Sequence, residues 1–173
     1  MYGDTTRDDF TRVEGPMDPG VEILFTYTMN GDISGALVSV TCTAQTCMGD
    51  NSLTADLWAP VRRNLRAHFG ANFQVLGVPG AAGDQCPDDL LRWRRSEPHL
   101  RGPHGAETLA RRLSNAVIEA HEYGRRETTA TPVFRHLNSA IDLPLYVMND
   151  SEVDHYKKVI SDLTANGEPD PKS

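Results

Sequence analysis

Apolar residues at every second position on both sides of an Asn-Gly pair constrain this chain more than any other feature. Residues 21–27, VEILFTY, place apolar side chains at every second position, which is the period of a β-strand. Asn30-Gly31, a pair typical of hairpin turns, follows, and residues 35–42, GALVSVTC, alternate again. The pattern therefore predicts a β-hairpin with one apolar face. That face consists of Val21, Ile23, Phe25, Tyr27, Val38, Val40 and Cys42.

Beyond the hairpin the apolar period changes to that of a helix. Residues 56–69 predict a helix that starts near Ala59, because Pro60 is tolerated only in a first turn, and that ends at Gly70. Its apolar stripe consists of Leu57, Val61, Leu65 and Phe69. Residues 72–78 then predict a buried, interior strand, because they form a short apolar run that ends in small residues.

Three further elements complete the pattern. Residues 105–124 predict an amphipathic helix with Gly124 as its C-cap, and residues 133–147 have the composition of a strand. A capping box from Ser151 to Asp154 predicts the start of a last helix. The apolar positions of the two helices are Leu109, Leu113, Val117 and Ala120, and Val153, Tyr156, Ile160 and Leu163.

This order of elements predicts an α/β fold, in which helices cover a mixed β-sheet in a single layered domain. A short helix over DLLRWRR, residues 89–95, belongs to the same series. We expect the domain to span residues 21–165, after an irregular lead-in over residues 1–20 and before a flexible tail over residues 166–173. A chain of 173 residues is long enough for a real core, since folds of this size bury roughly 68–70% of their unfolded surface.

Charge and hydropathy exclude several classes of partner. The 24 acidic and 17 basic residues give a net charge of −7, which disfavours a nucleic-acid or anionic-membrane surface. The basic cluster of Arg92, Arg94 and Arg95 is expected to be a solvated helix face. No run approaches the ~20 apolar residues of a membrane span, and residues 1–10 lack the plan of a signal peptide. We therefore expect a soluble, cytoplasmic chain.

The three cysteines, Cys42, Cys47 and Cys86, do not suggest a disulfide framework. Their odd number suits free thiols or a reducing compartment, and the alternative is one disulfide bond between two of the three. The spacing between the first two includes no CxxC motif and no nearby histidine pair, so a zinc knuckle is not expected.

Small residues in the stretch GVPGAAGDQCPDD, residues 77–89, mark the candidate substrate site. The stretch joins a predicted strand to a predicted helix, a place where backbone approaches a ligand closely. We expect the preceding strand to deliver this loop to the sheet edge, beside a pocket. A plain turn is the alternative. The candidate substrate-binding residues are Gly80, Ala81, Ala82 and Gly83.

Cys86 and Asp84 are the candidate catalytic residues. Helix N–H groups that follow Cys86 would lower the pKa of its thiol, while neighbouring carboxylates would raise it, so the two effects roughly cancel. A cysteine hydrolase would also need a base, and the nearest histidines in sequence are His99 and His104. The structural alternatives are a small, buried Cys86 and an Asp84 that caps the following helix by accepting backbone N–H bonds.

Other polar residues have simpler interpretations. Asp56 precedes a predicted helix and is expected to be its N-cap rather than a ligand. His121, His136 and His155 lie in periodic segments, and we expect them to be surface groups or hydrogen-bonded core groups.

Four blocks follow one another along the chain: GDISGALVSVTCTAQ, NSLTADLWAPVRRNLRAHFG, VLGVPGAAGDQCPDDLLRW and GAETLARRLSNAVIEA. In this order they resemble consecutive segments of the catalytic N-terminal domain of the neutral/alkaline non-lysosomal ceramidases. The resemblance covers about residues 21–147, and its most specific part is Gly-Ala-Ala-Gly-Asp-x-x-Pro at residues 80–87. It implies a zinc-dependent amidase that splits an N-acylated sphingoid base or a related lipid or small-molecule substrate.

The chain departs from the family pattern at two positions. Cys86 stands where the family has a serine proposed to be catalytic, and Thr43 stands where it has a zinc-binding histidine. The family's other zinc ligands fall outside this chain. The resemblance therefore implies the central part of a larger domain, which needs zinc when complete but has no metal ligand and no cofactor of its own here. The alternative is a non-catalytic, ceramidase-like binding or structural module.

Overall fold

The computed structural model describes residues 15–89 and 100–165, together with residues 5, 8 and 10–13. The helix expected at residues 89–95 and the tail expected at 166–173 lie outside these residues, apart from residue 89. The strands and helices are β1 (Val21–Tyr27), β2 (Ile33–Val40), α1 (Trp58–Phe69), β3 (Gln74–Pro79), α2 (Gly102–Gly124) and α3 (Asp150–Thr164). The chain divides into two compact units, Met1–Ala130 and Thr131–Ser173.

The first unit contains a mixed sheet in the order β1-β2-β3, with β1 antiparallel and β3 parallel to β2. The sheet and its helices confirm the predicted α/β class. The hairpin is also confirmed, since residues of β1 alternate between half-buried and exposed. Its loop turns at Gly31, whose φ of 88° favours a residue without a side chain.

Helix α1 is the crossover that a parallel pair of strands requires, and it connects β2 to β3. It begins at Trp58, one residue before the expected start, and Pro60 lies in its first turn as predicted. The Trp58 ring packs against Gly77 of β3, where an added Cβ would lie 2.3 Å from ring atoms. The buried core of the unit consists of Ala36, Val38, Leu57, Trp58, Val61, Leu65, Phe73, Val75, Ala110, Leu113 and Val117.

The expected interior strand is correctly placed in sequence but not in the sheet. Within the described residues β3 is an edge strand, because β2 lies between it and β1. Two arginines of α1 bond to the backbone of β3 and of the residue before it: Arg62 Nε donates to the carbonyl of Val75 at 3.4 Å, and Arg66 Nε to that of Phe73 at 3.1 Å. The prediction was wrong because an apolar run reports burial of faces and not the number of neighbouring strands.

The expected strand at residues 133–147 is not formed. The segment has neither helix nor strand, and its large apolar side chains are exposed. A strand needs a neighbour for its N–H and C=O groups, and no strand in the described part of the chain pairs with this segment.

Two helix ends also differ from expectation. The capping box of α3 is formed by Asn149 and Glu152 rather than Ser151 and Asp154, because Asn149 has the extended backbone that a cap requires. The Asn149 side chain accepts from Glu152 N at 3.0 Å, and Glu152 accepts from Asn149 N at 2.9 Å. Helix α2 includes Gly124 and has Arg125 as its C-cap.

Of the three histidines of the periodic segments, His136 and His155 are exposed, as expected, whereas His121 is half-buried. His121 packs against the rings of Phe25, Tyr27 and Phe69, and its buried Nε2 has no hydrogen-bond partner among the described residues. The expectation of a hydrogen-bonded core histidine is therefore wrong. Burial, followed by the nearby Arg125, lowers the pKa of His121.

Candidate functional site

The carboxyl ends of β2 and β3 lie side by side. Val40 pairs with Pro79, and Gly80 N donates to the Val40 carbonyl at 2.8 Å. Helix α1 starts at the same edge because it follows β2, and α2 starts there too, since Gly102 N donates to the carbonyl of Thr46 at 2.6 Å. We call this region the carboxyl edge; in α/β sheets it is the usual place for ligands.

Asp56 is the most extensively bonded side chain of the carboxyl edge. Its Oδ1 accepts from Thr46 Oγ1 at 2.6 Å and from Leu57 N at 2.7 Å. Its Oδ2 accepts from Cys47 N at 2.7 Å. The residue is only 7% exposed and has a φ of 51°. The carboxylate therefore holds the loop after β2 against the start of α1.

This arrangement corrects the expected role of Asp56. The N-cap of α1 is Leu57, whose side chain makes no capping bond, and Asp56 lies one residue before it. Burial by itself raises the pKa of Asp56, but the bonds from Thr46, Cys47 and Leu57 outweigh it and hold this pKa below its usual value. Asp56 is therefore ionised at neutral pH.

The predicted substrate-binding loop does begin at the carboxyl edge. Gly80 lies against Thr41, because an added Cβ would meet Thr41 Oγ1 at 3.2 Å. Ala82 is buried, whereas Ala81 and Gly83 are exposed. Buried and exposed small residues thus alternate along this loop.

The two predicted catalytic residues differ in exposure. Asp84 is exposed, and its Oδ1 accepts from Gln85 Nε2 at 3.1 Å. Among the described residues it accepts no backbone N–H bond, so the expected helix cap is not formed. Cys86 is half-buried and has a free thiol.

Cys42 lies close enough to Cys86 for the charges of the two thiols to interact. The pKa of Cys42 is raised by burial first, and then by the nearby Cys86 thiol and Asp56 carboxylate. The Cys42 thiol donates to the carbonyl of Thr43 at 3.4 Å. All three cysteines are free, so the carboxyl edge carries thiols and no disulfide.

An ion pair lies at the C-terminal end of the loop that begins at Gly80. Arg101, just before α2, donates to both carboxylate oxygens of Asp88 at 2.5–2.9 Å, and the Asp88 side chain is only 8% exposed. Sequence reasoning missed this pair and also missed Thr46. Neither has a spacing signal, because the partners are brought together only by the fold.

Of the two candidate bases for Cys86, only His104 lies within the described residues. His104 is exposed in the first turn of α2 and lines a groove of about 590 Å³ between α1 and α2. None of residues 80–87 lines that groove. His99 lies outside the described residues.

The described residues offer no grouped set of zinc donors. Thr43, at the family's histidine position, donates its hydroxyl to Gln45 Oε1 at 2.8 Å. In the described ranges, no three or more His, Cys, Asp or Glu residues are grouped so that they could hold a metal. The zinc chemistry that the resemblance implies therefore has no grouped donor set within the described ranges.

No family model, curated protein or solved structure matches the chain. None of the described helices is both long and apolar enough to cross a membrane.

Proposed function

We propose that this chain is a ceramidase-type amide hydrolase module whose carboxyl edge binds the amide of an N-acylated sphingoid base or a related lipid. One observation carries the proposal: residues 80–87, where the resemblance is most specific, begin at the carboxyl edge beside the starts of two helices.

The loop offers three kinds of group to such a substrate. Its small residues allow the amide to approach the backbone closely. Asp84 is exposed and ionisable, so it can accept a hydrogen bond from a substrate amide N–H or hydroxyl. Cys86 offers a half-buried thiol at the family's serine position. Hydrolysis adds water across the C–N bond and releases a fatty acid and an amine.

A second function, a non-catalytic binding module of the same type, is favoured by Thr43. Its hydroxyl is bonded to Gln45, and no three or more His, Cys, Asp or Glu of the described residues are grouped so that they could hold zinc. Such a module would bind the same amide without splitting it.

One experiment separates the two functions. The purified chain is incubated with an N-acyl sphingosine in detergent, the released sphingoid base is quantified by mass spectrometry, and binding is measured with an N-alkyl analogue. Hydrolysis that Asp84→Asn and Cys86→Ala abolish, but Asp50→Asn does not, supports the hydrolase. Binding without hydrolysis supports the second function, and the absence of both overturns both proposals.

A further inference from the structure

The segment 141–147 of the second unit has the pattern of a strand without a neighbour. Its odd-numbered residues are all apolar, and each is at least 76% exposed. These residues are Ile141, Leu143, Leu145 and Val147. The segment forms no helix or strand, so its apolar face and its backbone groups both lack regular partners in the described part of the chain.

Among the described residues, no strand pairs with the outer edge of β1 in the first unit. Successive strand residues direct their N–H and C=O groups to opposite edges. Val40 O accepts from Gly80 N, so the backbone groups of Val40 point to β3. The backbone N–H and C=O groups of Leu37 and Ser39 therefore point to β1. Their partners Leu24 and Glu22 therefore bond inward, towards β2. The backbone groups left pointing outward are those of Val21, Ile23 and Phe25.

The other edge of the sheet is less available. The carbonyl of Val75 in β3 accepts from Arg62, and that of Phe73, just before β3, accepts from Arg66. The β1 residues that point outward are also those whose side chains are half-buried on the helix side of the sheet. An added strand with one apolar face would extend that buried layer.

Pro144 decides the direction of such a strand. In an antiparallel pair, the backbone N–H and C=O groups of two directly opposite residues either all point towards the partner strand or all point away from it. The apolar residues of 141–147 would then bond to β1, and Pro144, which has no N–H, would point outward. A parallel strand would instead require the missing N–H of Pro144 for bonding. An outward proline also blocks addition of a further strand.

We propose that residues 141–147 of one chain add as an antiparallel strand to the β1 edge of a second copy, and that the two copies exchange this segment reciprocally. In the described part of each chain, the segment 141–147 and the outer edge of β1 both lack a strand neighbour, so a two-fold pair satisfies both and closes. The opposed apolar pairs are Leu143 with Phe25, Leu145 with Ile23, and Val147 with Val21.

Charges are compatible with this register. On the other face, Asp142 lies opposite Thr26 and Tyr146 lies opposite Glu22, so hydroxyls face carboxylates and no like charges oppose each other. The inference is independent of the proposed hydrolysis, because it uses neither the carboxyl edge nor residues 80–87.

Sedimentation equilibrium over a concentration series tests the proposal. We expect twice the mass of one chain, and we expect Leu143→Lys to weaken association by ~10-fold or more, which corresponds to about 1.4 kcal/mol. Leu137→Lys, the same substitution at an exposed apolar residue outside the segment, is the matched control and should leave association unchanged. A wild-type monomer at every concentration, or equal effects of the two lysines, would overturn it.

Amide exchange measured by NMR gives a second, independent reading. In the wild type we expect slow exchange at Val21, Ile23 and Phe25, and fast exchange there in Leu143→Lys. Ile141→Pro removes an inward N–H and should release the same amides, whereas Asp142→Pro removes an outward N–H and should not. Protected amides in a monomeric wild type would refute exchange between copies.

Discussion

Replacing Asp56 with asparagine tests the carboxylate that organises the carboxyl edge. Asparagine has the same shape and tolerates the φ of 51° at this position, so the substitution changes charge and hydrogen bonding without adding backbone strain. The amide oxygen can keep the bonds from Thr46 and Leu57, but its NH₂ group then faces the N–H of Cys47.

The expected loss follows from these three bonds. A hydrogen bond to a charged group contributes about 1.5–3 kcal/mol, and a neutral one about 1 kcal/mol. Asp56→Asn loses one charged bond and weakens two others, so we expect unfolding free energy to fall by about 3 kcal/mol. For a chain of this size, that lowers Tm by roughly 6–12 °C.

Urea denaturation followed by circular dichroism measures this loss, with exposed Asp50→Asn as the control. Because the folded pKa of Asp56 is lowered, its stabilisation is complete above the ordinary aspartate pKa and disappears as pH falls through the folded value. The difference between wild type and variant should therefore shrink in acid. A loss below about 0.5 kcal/mol at neutral pH, the usual scale of surface substitutions, would refute the reasoning.

Three other substitutions and assays check separate parts of the structure. Cys86→Ser should change unfolding free energy by no more than about 1 kcal/mol, since the groups are nearly isosteric; a Tm lower by tens of degrees would contradict this. Gly77→Ala should cost at least about 2 kcal/mol in urea, because its methyl would meet the Trp58 ring, while Gly83→Ala, which has open space, should cost little. Elemental analysis after chelator-free purification should find no stoichiometric zinc. About one zinc per chain would disprove that expectation, and single substitutions of the cysteines would then identify any thiolate ligands.

Much of the first unit could be predicted because its elements depend on local periodicity. The β1–β2 hairpin, α1 and α2 each present one apolar face, and burial of that face is what stabilises the element. The mixed sheet followed from the order of these elements, since a helix between two strands allows a parallel pair.

The errors occurred where a residue's role depends on a neighbour that is remote in sequence. Residues 133–147 have a strand pattern, but alternation does not say which edge, if any, will accept their backbone. Similarly, the sequence of β3 predicts an interior strand, although β3 has only one strand neighbour among the described residues.

The sequence by itself determined which faces of the strands and helices are apolar, and it located the glycine-rich loop after β3. Only the tertiary structure decided that Asp56 bonds Thr46 and Cys47 and that Arg101 pairs with Asp88. Periodicity is a property of neighbouring residues, whereas a buried carboxylate takes whichever donors the folded chain brings within about 3 Å.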